Sequence, residues 1–251
     1  IDALAAEGVR CENAATAVPI TVPSHATILT GLFPPAHGVR DNGEFVLNDN
    51  AVTLAERMKA QGYATGAFVS AVVLARLYNL TQGFDIYDDD LWEEDRPPMF
   101  MIRDRAAPKT ARRAIDWLET RTATPDAPPF FLWVHFFDPH QPYKSRVPSR
   151  FLSPTPYDAE IAQADSGVAM LVNWLKGRDL LEKTLVVLTA DHGEGLGEHE
   201  EKTHSMFIYD TTVHVPMIWR FPKGLPQGAV YRDAVRTVDI VPTILGLSGV
   251  A

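Results

Sequence analysis

The stretch Thr184-Leu185-Val186-Val187-Leu188-Thr189-Ala190-Asp191-His192-Gly193-Glu194 decides how the rest of the chain is read. Its apolar, partly β-branched run, residues 185–188, has the composition of a strand buried on both faces of a parallel sheet. The run stops in an acid, an imidazole and a glycine. Ligands of open α/β sheets sit beyond the carboxyl ends of the strands, so Asp191 and His192 stand where a metal or substrate is held. An anionic oxygen beside a neutral nitrogen is a mixed donor set suited to zinc, manganese or iron. A polar turn with a helix-capping aspartate explains an isolated Asp-His-Gly more simply, so a second segment is needed to displace that explanation.

Residues 19–31 supply it, reading Pro19-Ile20-Thr21-Val22-Pro23-Ser24-His25 and closing on Leu29-Thr30-Gly31. Pro23 fits the first turn of a helix and Gly31 its end, which places Thr21 or Val22 at the N-cap. The Thr21 hydroxyl then lies at a helix N-terminus, where free amides and the dipole favour an anion. Alone, this is an ordinary capping threonine.

Together the two segments resemble the sulfatase-like branch of the alkaline phosphatase superfamily. The family's nucleophile lies in a Cys/Ser/Thr-x-Pro-Ser-x motif closed by Leu-Thr-Gly, matched by Thr21 to His25 and then Leu29-Thr30-Gly31. Its second metal motif, Asp-Asn or Asp-His followed by Gly-Glu, is matched by Asp191-His192-Gly193-Glu194. His37-Gly38-Val39 with Asn42, Gly62-Tyr63, Asp138-Pro139-His140, Lys202-Thr203-His204 and Asp239 follow in the family's order. The resemblance runs along nearly the whole chain. It implies an α/β fold whose mainly parallel sheet is sandwiched by helices, of the alkaline-phosphatase/sulfatase type. It also implies a divalent metal held by Asp191, His192 and Thr21, with zinc or manganese favoured and calcium possible.

In that scheme Thr21, deprotonated by contact with the metal, is the nucleophile and forms a covalent phospho-threonine. His140 and His204 contact the phosphoryl oxygens or protonate the leaving group. His25 and Asn42 donate hydrogen bonds to the transferred group, and Lys202 competes with His204 as the relevant cation. The family's first metal acid ends a first sheet strand that precedes the nucleophile by tens of residues. Ile1-Asp2-Ala3-Leu4 instead resembles the helix after that strand, so residues 1–251 read as one catalytic domain lacking the first strand and the C-terminal subdomain.

Position 21 departs from the family's true sulfatases. These oxidise a Cys or Ser to formylglycine, whose gem-diol attacks sulfur; threonine does not enter that maturation, and His25 replaces its arginine. Threonine here resembles the family's phosphodiesterases, phosphonate hydrolases and phosphoethanolamine transferases. The expected function is therefore metal-dependent hydrolysis or transfer of phosphate or phosphonate esters, on a small-molecule, lipid or glycan substrate. Sulfuric ester hydrolysis is the alternative, and a non-catalytic fragment or pseudoenzyme a further one.

Composition suits an enzyme domain. The 251 residues are 46% hydrophobic and 22% charged, enough for one large α/β domain with a substantial core. A net charge of −9 argues against nucleic acid as a partner. The longest apolar run, residues 130–137, is far too short to span a membrane. The single cysteine, Cys11, excludes an internal disulfide and reads as a core residue of a strand. Strands are expected at residues 63–69, 130–136 and 185–190, side by side in one sheet, and helices at 108–120, 161–177 and 241–247. The acidic, proline-bearing stretch 85–105 reads as a surface excursion, and 148–157 as a proline-rich connector. Thr21, Asn42, His140, Asp191 and His192 are expected to meet at one edge of the sheet.

Overall fold

The computed structural model describes residues 1–91, 104–124, 126–143 and 155–250. Most of the expected surface excursion, residues 92–103, and the connector up to residue 154 lie outside the described residues. Helix α1 (Asp2–Ala6) leads into strand β1 (Val9–Ala15), followed by α2 (Thr21–Thr30), the short α3 (Pro34–His37), α4 (Leu54–Ala60) and β2 (Ala64–Phe68). Next come β3 (Ile86–Asp88), α5 (Ala107–Arg121), β4 (Phe130–Val134), α6 (Pro156–Gly177) and β5 (Val186–Thr189). The chain continues through α7 (Asp210–Val213), β6 (Met217–Arg220), β7 (Ala229–Arg236) and α8 (Ile240–Ser248).

Local chemistry explains several of these boundaries. Thr53 and Glu56 form a reciprocal capping box that starts α4. In α5 the buried residues Thr110, Ala111, Ala114, Ile115 and Leu118 recur at helical spacing, as the apolar pattern requires. Gly31 ends α2 in the left-handed conformation, φ 69°. The other end of α2 differs from expectation: the N-cap is Ile20, and Thr21 is already helical. Its hydroxyl is not needed as a cap, because the side-chain oxygen of Asn42 accepts from the Val22 N–H at 2.8 Å.

The strands form two sheets. One is four-stranded in the order β5-β6-β1-β7; the other is three-stranded, β3-β2-β4, and wholly parallel. In the first, β6 runs antiparallel to both β5 and β1, while β1 and β7 are parallel. The expectation of three neighbouring strands in one sheet is therefore corrected. β2 and β4 pair from Ala64↔Phe130 to Phe68↔Val134, but β5 pairs only with β6. A cleft of about 1380 Å³, lined by residues of both strands, lies where β4 and β5 would otherwise meet. The α/β class stands, with helices on both faces. Phe130, Leu132 and Val134 pack with the α5 cluster, whereas Phe131 joins the cluster built on α4 and α8. That alternation is the period of two of a strand covered on both sides.

Two further segments depart from the sequence reading. Residues 86–88 form β3, and Asp88 pairs with the buried Arg105 and with Arg113, both at 2.9 Å, so the acid run begins as part of the sheet. β7 was not anticipated: it is a largely exposed edge strand without apolar alternation. Cys11 is buried in β1 as expected.

His37, buried at the end of α3, ties that helix to α2. One ring nitrogen lies 3.1 Å from the Thr27 hydroxyl, and the other accepts from the Val39 N–H at 3.2 Å. Accepting at one nitrogen suits the neutral ring. Burial pushes its pKa down from 6.5 to about 4. Between those values the folded chain binds fewer protons than the unfolded one. The stability present above about pH 6.5 is therefore lost as pH falls towards 4, at a slope of up to ~1.4 kcal/mol per pH unit. Denaturant unfolding at a series of pH values checks this, with a shallower acid loss expected for His37→Asn.

Candidate active site

The cleft ends at the carboxyl ends of β4 and β5, and the polar side chains gather there. β5 delivers Asp191 and His192 immediately after its last residues. Helix α2 brings Thr21, whose hydroxyl lies 3.3 Å from His192 Nε2. The Asp191 carboxylate is also 3.3 Å from His192 Nε2. A hydrogen bond locks the two elements together: the Ser24 hydroxyl donates to the Asp191 carbonyl at 2.6 Å. Burial pushes the Asp191 carboxyl up, but the imidazoles of His192, His25 and His135 outweigh it and hold the pKa at about 2.

The glycines after Asp191 serve close approach. A Cβ on Gly193 would lie 2.1 Å from the Thr211 carbonyl oxygen of α7, and one on Gly195 2.7 Å from the Thr203 carbonyl oxygen, so glycine at both positions lets α7 and the loop before it pass here. That passage carries His204 into the cluster, its ring centroid 4.0 Å from that of His192. His204 Nδ1 lies 3.1 Å from the buried Glu194 carboxylate, so Nδ1 carries the proton and Nε2 is left for the site. After β4, His140 stacks on Phe137 at 4.2 Å and lies 5.2 Å from His204. Its Nδ1 is held by the Gln141 carbonyl at 2.6 Å, and its backbone N–H donates to Glu160 of α6 at 2.9 Å. Gln163, one turn further along α6, donates to Asp138.

The convergence of Thr21, Asn42, His140, Asp191 and His192 is thus present, with His204 added. Asn42 uses its oxygen on the Val22 amide, which leaves the Nδ2 donor for a bound group. One candidate sits elsewhere. Lys202 is exposed and does not line the cleft; only its carbonyl is engaged, by the Gln141 side chain at 2.6 Å. Of Lys202 and His204, it is His204 that lines the cleft. His25 is buried behind Asp191, its Nδ1 2.8 Å from the Thr21 carbonyl and 3.5 Å from the Asp191 carboxylate. It packs between Trp133 and His135 and lines the cleft, with Nδ1 engaged beside Asp191.

Sequence reasoning missed the braces. Ser24 and Glu194 stand in their motifs without a role of their own. Glu160 and Gln163 are a buried polar pair, three residues apart, on a helix expected to show an apolar face; that interruption was the available signal. Removing one brace is testable. Glu194→Ala frees the His204 ring and is expected to lower kcat about 10-fold or more with little change in KM. Glu194→Gln retains an acceptor and should recover most of the loss, as steady-state kinetics of the whole protein would read.

Among the described residues no group of three or more His, Cys, Asp and Glu side chains converges on a metal position. The donors that do converge are the Asp191 carboxylate, His192 Nε2 and the Thr21 hydroxyl, with His192 Nε2 3.3 Å from each of the other two. Ligands about 2.1 Å from a tetrahedral ion lie roughly 3.4 Å apart, so the three fit around one cation. The His192 tautomer agrees: Nδ1 lies 2.8 Å from the Gly193 carbonyl, the outer hydrogen bond that turns Nε2 towards a metal.

A sequence model of the sulfatase family matches residues 1–250. The chain is 25% identical, over 293 aligned residues, to the ulvan-active sulfatase of Formosa agariphila, covering 100% of this chain and 56% of that protein. The chain thus spans little more than half the length of the curated relatives it matches. Ps i-CgsB in complex with k-i-k-neocarrahexaose superposes with a TM-score of 0.80 at 21% identity, covering 100% of this chain and 66% of that one. The phosphonate monoester hydrolase of Agrobacterium radiobacter superposes with a TM-score of 0.74 at 19% identity, covering 100% and 68%. At such identities the structural likeness concerns the fold.

Proposed function

The chain belongs to the sulfatase family, and from that premise we propose that it carries the reaction centre of an ester hydrolase that uses Thr21 as nucleophile. The observation that carries the reading is the placement of the Thr21 hydroxyl 3.3 Å from His192 Nε2, beside the carboxylate of Asp191. Sulfate esters come first as substrates, because the family and the ulvan-active sulfatase favour them over the phosphate esters that Thr21 alone suggested.

Asp191, His192 and Thr21 would hold a divalent cation, which when bound would supply Lewis acidity to the hydroxyl and to oxyanion charge. The chain's own groups do the rest. Thr21 Oγ attacks the sulfur or phosphorus as the bond to the leaving oxygen breaks. Asn42 Nδ2 hydrogen-bonds a nonbridging oxygen. His204, oriented by Glu194 with Nε2 towards the site, takes up a second proton at Nε2 and gives it to the leaving oxygen, and His140 lines the same side. Water then hydrolyses the threonine ester and restores the hydroxyl. The organic part of the substrate is a small molecule or a glycan.

One observation favours a second reading, phosphate or phosphonate esters. Residue 21 is threonine, and a threonine sulfate lacks the second hydroxyl through which a gem-diol expels sulfate. A phosphonate monoester hydrolase is among the structural neighbours. The two readings separate in one assay of the whole protein, supplied in turn with Mn²⁺, Zn²⁺ and Ca²⁺. A higher kcat/KM for an aryl sulfate than for the matching aryl phosphodiester or phosphonate supports the first, and the reverse order supports the second. Turnover of neither ester with any of the three ions contradicts both.

A further inference from the structure

The segment that carries His204 is built against its own local preferences. Ser205, directly after it, sits at φ 88°, a left-handed conformation that disfavours any side chain. Met206 and Ile208 follow with 75% and 80% of their surface exposed, and Phe207 between them is exposed as well. Glu201 does the reverse. It is an acid buried to 7% exposure, and its Oε2 has no hydrogen-bond partner among the described residues. Buried acids without a full set of partners are rare, because taking them out of water is costly. Departures of this kind persist where the surrounding structure enforces them, and they gather at functional sites.

The other oxygen of Glu201 shows what the acid does. Oε1 accepts from the Phe207 N–H at 3.3 Å, which ties together the two ends of the stretch 201–207, with His204 at its middle. The arm before His204 is fastened from outside. The Gly197 N–H donates to the Glu201 carbonyl at 2.9 Å, the Gln141 side chain to the Lys202 carbonyl at 2.6 Å, and the Gly195 N–H to the Thr203 carbonyl at 3.1 Å. The arm after it is fastened at Phe207, by Glu201 and by the Thr212 hydroxyl, which donates to the Phe207 carbonyl at 2.9 Å. Glu201 thus joins the two arms directly. Glu194 fixes which nitrogen the His204 ring presents; the backbone of this stretch fixes where it is presented. We propose that Glu201 is a positioning residue, whose carboxylate staples the 201–207 stretch closed and so keeps His204 Nε2 within reach of the leaving oxygen. The inference deepens the reading above and rests on His204 as the proton donor. Proton transfer requires hydrogen-bond reach, so a slack segment weakens it steeply. The loss depends on the leaving group: 4-nitrophenolate departs readily without a proton, whereas phenolate, the stronger base, gains more from one.

Leaving-group dependence tests the staple. The whole protein with Mn²⁺ is assayed on matching 4-nitrophenyl and phenyl esters, sulfates and phosphonates alike. Glu201→Leu fills the buried volume but removes the acceptor. Its kcat is expected to fall about 10-fold further on the phenyl ester than on the 4-nitrophenyl ester, with KM within about 2-fold of the parent. Glu201→Gln keeps an acceptor and should recover most of that loss. Equal losses on both esters, no loss on either, or Glu201→Gln as impaired as Glu201→Leu would overturn the proposal. Should Glu201→Leu not fold, the same pattern is required of Glu201→Ala, whose smaller side chain cannot crowd the site. Hydrogen exchange without substrate gives a second reading. Residues 203–207 should exchange about 10-fold faster in Glu201→Leu, and unchanged exchange there would also overturn the staple. His204→Ala, assayed in parallel, separates the two accounts. A leaving-group gradient in His204→Ala but not in Glu201→Leu removes the staple and leaves the proton donor. No gradient in His204→Ala removes the proton donor, and the staple's part in catalysis with it.

Discussion

Replacing Thr21 by alanine should abolish turnover while leaving the fold in place. Among the described residues the Thr21 hydroxyl is the one that lies within hydrogen-bond reach of His192, whereas the nearby Ser24 hydroxyl is spent on the Asp191 carbonyl. Loss of the attacking group should lower kcat by about 10³-fold or more, equivalent to roughly 4 kcal/mol of barrier. The structural cost is small, because the Val22 amide is capped by Asn42 and not by Thr21. Stability should fall by about 1 kcal/mol or less, the worth of one hydrogen bond. Kinetics and denaturant unfolding of the same variant check both halves. Thr21→Ser should keep activity, since it retains the hydroxyl.

The second large effect falls on Asp191. Its carboxyl is held at about 2, so it stays charged across the working range and is fitted to a cation. Asp191→Asn removes that charge but keeps the shape and the backbone carbonyl that Ser24 holds. Divalent-ion affinity is expected to fall by about 100-fold or more, because the strongest anionic donor of the set is lost. Titration calorimetry with Mn²⁺ or Zn²⁺ on the whole protein reads the change. An affinity within a few-fold of the parent would remove Asp191 from the metal set. Chelation of the parent should silence it in the same way, and added ion should restore it.

Much of the site was legible because its signals are local. Asp191-His192 ends an apolar run, and Thr21 sits between a proline and a helix that closes at Gly31; each reading needs only a dozen residues. What the sequence did not reveal depends on distant partners. Lys202 and His204 are two residues apart, and the loop that turns the first outward and the second inward passes over Gly195 at the Thr203 carbonyl. His25 matched the motif, but the motif does not show that its Nδ1 is taken up by the Thr21 carbonyl and lies beside Asp191. Glu194 acquires its role only because His204, ten residues later, folds back onto it.

The fold divides in the same manner. Strands β2, β4 and β5 fall where their apolar runs put them. Their grouping into two sheets is a matter of neighbours, and no run of residues within β4 or β5 states which strand lies beside it. β7 escaped notice because an exposed edge strand buries little and so needs no alternation.

The central claim is that Thr21 becomes covalently attached to the group it transfers. The direct test is rapid acid quenching of the full-length enzyme during turnover of an aryl ester, followed by peptide mass spectrometry. A sulfuryl or phosphoryl group on the peptide containing Thr21, absent from Thr21→Ala and lost on longer incubation, is the expected result. Turnover at full rate with Thr21 unmodified at every quench time, or with the group on another residue, would contradict it.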